Sequence, residues 1–96
     1  MRDPRLDSQR DSVERILREK GFPHLHVHVH GQHLVIDSQD GDERWNRARL
    51  TRLSSTQFQL GMADHRGRWE ATPFSGTLVE LLTMLVDEFG FTLAPM

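Results

Sequence analysis

Between residues 24 and 37 the chain reads HLHVHVHGQHLVID, a strict alternation of polar and apolar positions that predicts two β-strands, each with one apolar face. Gly31-Gln32 breaks the alternation as the glycine-first loop of a type II′ hairpin. Such a loop fixes register. His30 pairs with His33, His28 with Val35 and His26 with Asp37, while Leu25, Val27, Val29, Leu34 and Ile36 turn to the opposite face.

On either side of the strand region the period becomes helical. Leu6, Val13, Ile16 and Leu17 share one helical face, with starts available at Asp3-Pro4 or at Ser8 with Asp11, which predicts a helix over residues 5–20. Gly21 supplies a left-handed cap with Phe22 placed against Leu17, and Gly90-Phe91 repeats this arrangement after a second helix. Thr77 and Glu80 form a capping box for that helix. Leu78, Leu81, Leu82, Leu85 and Phe89, widened by Val79, Met84 and Val86, make it the main cover of the apolar sheet face.

After a turn at Asp40-Gly41, the segment RWNRARLTRL predicts a third strand whose register has two solutions. A strict two-residue loop drives Arg47 and Arg49 into the core beside Leu34, at several kcal/mol for each unpaired buried charge. A bulged or longer loop is preferred instead. It buries Ala48 and Leu50 and leaves Trp45, Arg47, Arg49 and Thr51 on the histidine side.

Phe58, Leu60 and Met62 alternate with Gln57, Gln59 and Gly61 in a fourth strand, and Arg68–Thr72 reads as a short fifth strand, preceded by a turn at 64–67 and ended by Pro73. Residues 91–93 are a further edge-strand candidate. The expected fold class is α+β: an N-terminal helix, a four- to five-stranded antiparallel meander and a C-terminal helix, with both helices on one sheet face. Residues 1–96 form a single domain, with 1–4 as a flexible start.

Composition narrows the function classes. A formal net charge of -2 and no cysteine argue against a dedicated nucleic-acid module and exclude thiolate metal sites and disulfides. The charged first residues lack a signal-peptide core, and no run of about 18 apolar residues occurs. A cytoplasmic location without membrane insertion is therefore expected.

His24, His26, His28, His30 and His33 are the strongest local feature, gathered by the hairpin on one face with Asp37 at its end. Histidine is an ordinary polar occupant of a half-exposed strand, so the first reading is a polar face open to solvent or a partner. Imidazoles also ligate zinc, nickel or copper, and His28, His30 and His33 are then the candidate ligands. Trp45 with Arg44, Arg47, Arg49 and Arg52 adds groups able to stack bases and hold phosphates of RNA or another single strand.

No nucleophile elbow, phosphate loop or role-fixing carboxylate pair is present, so no enzyme is expected. The leading expectation is a small non-enzymatic interaction or regulatory module. It presents His26, His28, His30, His33, Trp45, Arg47 and Arg49 to a macromolecule, either a protein partner or a second copy. Exposure of the last helix around Val79 and Met84 would add a surface for self-association. Crowding of the histidines predicts folded pKa values below about 6.5.

Overall fold

A computed structural model of the protein describes residues 4–64, 66 and 68–90. Helix α1 (Pro4–Glu19) precedes strands β1 (Leu25–His30), β2 (His33–Asp40), β3 (Glu43–Arg52), β4 (Phe58–Ala63) and β5 (Trp69–Gly76), and helix α2 (Leu78–Phe89) follows. The strands form one antiparallel sheet in sequence order. Leu6, Val13 and Leu17 of α1 share a core with Leu81, Leu82 and Leu85 of α2 and with Leu25, Val27, Leu34, Ile36, Ala48, Leu50, Phe58 and Leu60 of the sheet. Both helices thus cover the same sheet face. The expected α+β architecture is the observed one, with five strands.

Local signals account for most boundaries. Pro4, expected in the flexible start, opens α1, where its missing N–H costs nothing; residues 1–3 lie outside the described residues. Gly21 closes the helix at φ +97 in a Schellman arrangement: Phe22 N–H donates to the Leu17 carbonyl at 2.9 Å and Gly21 N–H to that of Arg18 at 3.2 Å. At the second helix the parallel fails. Gly90 is right-handed, with φ -55 and ψ -30, so the chain does not reverse there through a left-handed cap. The Thr77/Glu80 capping box is formed in both directions.

The β1–β2 register is the expected one at every pair from His26–Asp37 to His30–His33. Gly31 has φ +61, and no described non-glycine residue has positive φ, which makes the loop type II′. Gly41-Asp42 forms a second tight loop at φ +62, with Asp40 opposite Glu43. The irregularity anticipated for the third strand sits deeper, between Ile36 and Asp37, where Arg47 is the extra residue of a β-bulge.

Pro73 does not end β5, which runs on to Gly76. As an edge strand β5 tolerates a residue without an N–H, and its ladder skips Thr72, Pro73 and Phe74 opposite Leu60. Side chains repair the gap: Thr72 Oγ1 donates to the Leu60 carbonyl at 2.7 Å, and Gln59 Nε2 to the Thr72 carbonyl at 3.1 Å. The expected edge strand at 91–93, and residues 65 and 67 of the turn before β5, lie outside the described residues. No described helix is long and apolar enough to cross a membrane.

Leu50 is fully buried in the central strand, between Leu34 and Leu60 in adjacent strands. Leu50→Ala is expected to lower unfolding free energy by about 2–5 kcal/mol in urea titration. Val79, well exposed on α2, is expected to tolerate alanine within about 0.5 kcal/mol.

Candidate functional site on the uncovered sheet face

The face opposite the helices is ordered in cross-strand rows. One runs His30, His33, Thr51, Gln59 and Ser75; the next runs His28, Val35, Arg49, Gly61 and Ala71; a third begins His26, Asp37 and Asn46. The hairpin therefore brings His26, His28, His30 and His33 onto one side, as expected, and Arg49 lies in the same rows. His24 precedes β1 and instead packs its ring against Phe22, with centroids 6.1 Å apart.

Trp45 and Arg47 do not belong to this face. The tight Gly41-Asp42 loop pairs Trp45 with Ser38, itself the partner of Leu25, which puts Trp45 on the helix side at 38% exposure. Arg47, the bulge residue, returns to the buried Ser38 hydroxyl, donating to Oγ from Nε at 3.0 Å and Nη2 at 2.9 Å. Arg44 and Asn46 occupy the uncovered face in their stead, through the pairs Gln39–Arg44 and Asp37–Asn46.

The aromatic residue of this face is Trp69 on β5. Arg49 stacks its guanidinium 4.8 Å from the ring centroid, and it can cross β4 because Gly61 has no side chain. A Cβ at Gly61 would sit 3.3 Å from Arg49 Cγ. A glycine inside an alternating strand signals close approach of another group, and that was the clue to this contact in the sequence.

Asp37 is the unusual group. Although its row faces outward, its side chain is only 2% exposed, and its Oδ2 lies 2.6 Å from His28 Nε2 and 3.7 Å from Arg44 Nε. Burial pushes its pKa above the ordinary aspartate value, against the opposing pull of His28, Arg44 and His26. His33 is shifted the other way. Burial first, then Arg49 and His30, hold its pKa below the usual imidazole value, while Nδ1 lies 2.8 Å from Thr51 Oγ1.

Two concavities meet at this group. One of about 440 Å³ is lined by His28, His30, Val35, Asp37, Arg44 and Trp69 among others; the second, about 230 Å³, reaches from the trio His28, Asp37 and Arg44 to Arg10 and Glu14 of α1. His28 turns to Asp37 and His33 to Thr51, so two of the three proposed metal ligands engage different neighbours. Among the described residues no three of His, Asp or Glu are grouped to hold a metal ion.

What fold and site define is an antiparallel sheet backed by helices on one face, the other face being uncovered among the described residues and carrying Arg44, Arg49 and four histidines. No protein-family model, curated protein or solved structure matches the chain.

The His33 shift has a definite sign. Because folding favours its neutral form, its contribution to stability is complete above about pH 6.5 and is lost as pH falls through the lower folded value. Urea midpoints are expected to fall between pH 7.5 and pH 5, and His33→Gln to flatten that decline; identical slopes would contradict it. For Asp37 the sign is opposite: its stabilising share is present below the unfolded pKa of 3.8 and lost as pH rises through the raised folded value. Asp37→Asn should therefore compare more favourably with wild type at pH 7 than at pH 3.5. Separately, Gly61→Val is expected to push Arg49 off Trp69 and shift the Trp69 indole resonance.

Proposed function

We propose that this protein is a non-enzymatic interaction module that docks an acidic protein segment on its uncovered sheet face. The observation that carries the reading is the asymmetry of the sheet. Both helices seal one face, whereas the other holds a concavity of about 440 Å³ with Val35, Trp69 and Asn46 among its lining and imidazoles and Arg44 around them. Apolar and aromatic surface supplies contact area, and polar groups around it supply orientation.

Charge selects the chemistry of the partner. Arg44, Arg49 and four imidazoles stand on the face, and the Asp37 carboxylate among them is buried. An anionic ligand is complementary to that surface. A short acidic segment is favoured over nucleic acid because the face offers two arginines, Arg44 and Arg49, on a chain of formal net charge -2, short of the basic surface that tracks a polyphosphate backbone.

Titration of ¹⁵N-labelled protein with a hexaglutamate peptide at low ionic strength tests this. The amides of His28, Val35, Asn46 and Trp69 are expected to shift, with those of α1 and α2 unmoved. Shifts confined to the helices would overturn the proposal, as would a response only to a single-stranded oligonucleotide.

A further inference from the structure

Asp37 is a carboxylate sunk into a face that is otherwise open, and it is shared by His28 and Arg44. His28 Nε2 and Arg44 Nε both lie toward the same oxygen, Oδ2, at 2.6 and 3.7 Å, and the His28 and Asp37 atoms of that contact are closed to solvent. Beyond the contact the two side chains are open, His28 at 41% and Arg44 at 60% exposure. Outside their contact with Asp37, Arg44 keeps its terminal N–H groups and His28 its second ring nitrogen, which is a donor when the imidazole is protonated.

We infer that His28 and Arg44 form an oxyanion clamp, oriented from beneath by Asp37, that grips a carboxylate of the partner segment. The inference rests on the docking face proposed above and names its anchoring subsite. The trio lies on the wall common to both concavities, so a side chain entering from either one meets it. Geometry favours a planar anion with two oxygens. The guanidinium and the protonated imidazole are both planar donors, and a buried carboxylate against which their inner edges rest lowers the entropy lost when the outer edges engage a ligand.

The groups facing this corner set the charge balance. From β1 come His26 and His30, from β3 Arg44, and from α1 Arg10 and Glu14. Glu14 is held by Arg10 at 2.8 Å, and Arg10 Nη1 also reaches the Val27 carbonyl at 3.4 Å, so the acid of α1 is already engaged. Asp37 is buried beneath His28 and Arg44, and Arg44 is the more open of the corner's two arginines.

Asp37 is a positioning residue in this scheme, and His28 and Arg44 are the ligand contacts. Hexaglutamate affinity is measured for wild type, Arg44→Gln, His28→Gln and Asp37→Asn, each first checked for a dispersed amide spectrum. Loss of a charged hydrogen bond predicts about tenfold weaker binding for Arg44→Gln at low ionic strength. His28→Gln should also weaken binding. Asp37→Asn should weaken binding while broadening or moving the His28 ring resonances, a change that a purely structural role elsewhere in the sheet would not produce. If all three variants bind hexaglutamate within twofold of wild type while the face amides still shift, the clamp is wrong and the docking face stands. If hexaglutamate moves no face amide even in wild type, both readings fall. Inorganic phosphate is the second probe: phosphate binding that depends on Arg44 and His28, without hexaglutamate binding, overturns the assignment to a protein carboxylate.

Discussion

One extra residue in β3 reconciles two demands that conflict along a regular strand. The tight loop at Gly41-Asp42 pairs Asp40 with Glu43, and continued without interruption that register would carry Arg49 into the core opposite Leu34. Burying an unpaired guanidinium costs several kcal/mol, more than a local break in the ladder. The bulge at Arg47 shifts the strand by one position, so Leu50 meets Leu34, Ala48 meets Ile36, and Arg49 emerges beside Val35. Arg47 itself satisfies the hydroxyl of the buried Ser38.

That shift also composes the uncovered face. Loop-proximal residues keep the unshifted register and distal residues the shifted one, so Arg44 and Asn46 share a face with Arg49 although their spacing is not a simple alternation. Gly61 then leaves a shallow path across β4 along which Arg49 reaches Trp69. Beside the bulge lies Asp37, whose carboxylate is buried between His28 and Arg44. A desolvated carboxylate is tolerable there because His28 and Arg44 lie against it, and its raised pKa records the remaining cost.

The two faces thus answer to different physics. Leucines from α1, α2 and four strands make the stabilising core, and each fully buried side chain of that size contributes about 1.5–3 kcal/mol. The opposite face contributes little apolar burial, and its order comes from cross-strand polar contacts: His28 with Asp37, His33 with Thr51, and Arg49 with Trp69. Residues free from the demands of packing are the ones available for recognition.

Local alternation and turn chemistry were enough to read the hairpin from Leu25 to Asp37, the core leucines, Gly21 as a left-handed stop, the capping box of α2 and the need for an irregularity in β3. All of these depend on interactions between residues close in sequence or joined by a loop of fixed geometry. The position of the irregularity was not readable, because a bulge at the loop and a bulge at Arg47 give the same core pairs and differ only in the placement of residues 44–47. Likewise Pro73 stops a strand only where a neighbour requires its N–H, which an edge position does not. The partnership of Arg49 with Trp69, and the burial of Asp37 on an outward row, join strands whose relative placement follows from packing of the whole sheet on its helices. The amino-acid order determined which side of each hairpin strand is apolar; the assembled sheet decided which arginines and which tryptophan stand beside the histidines.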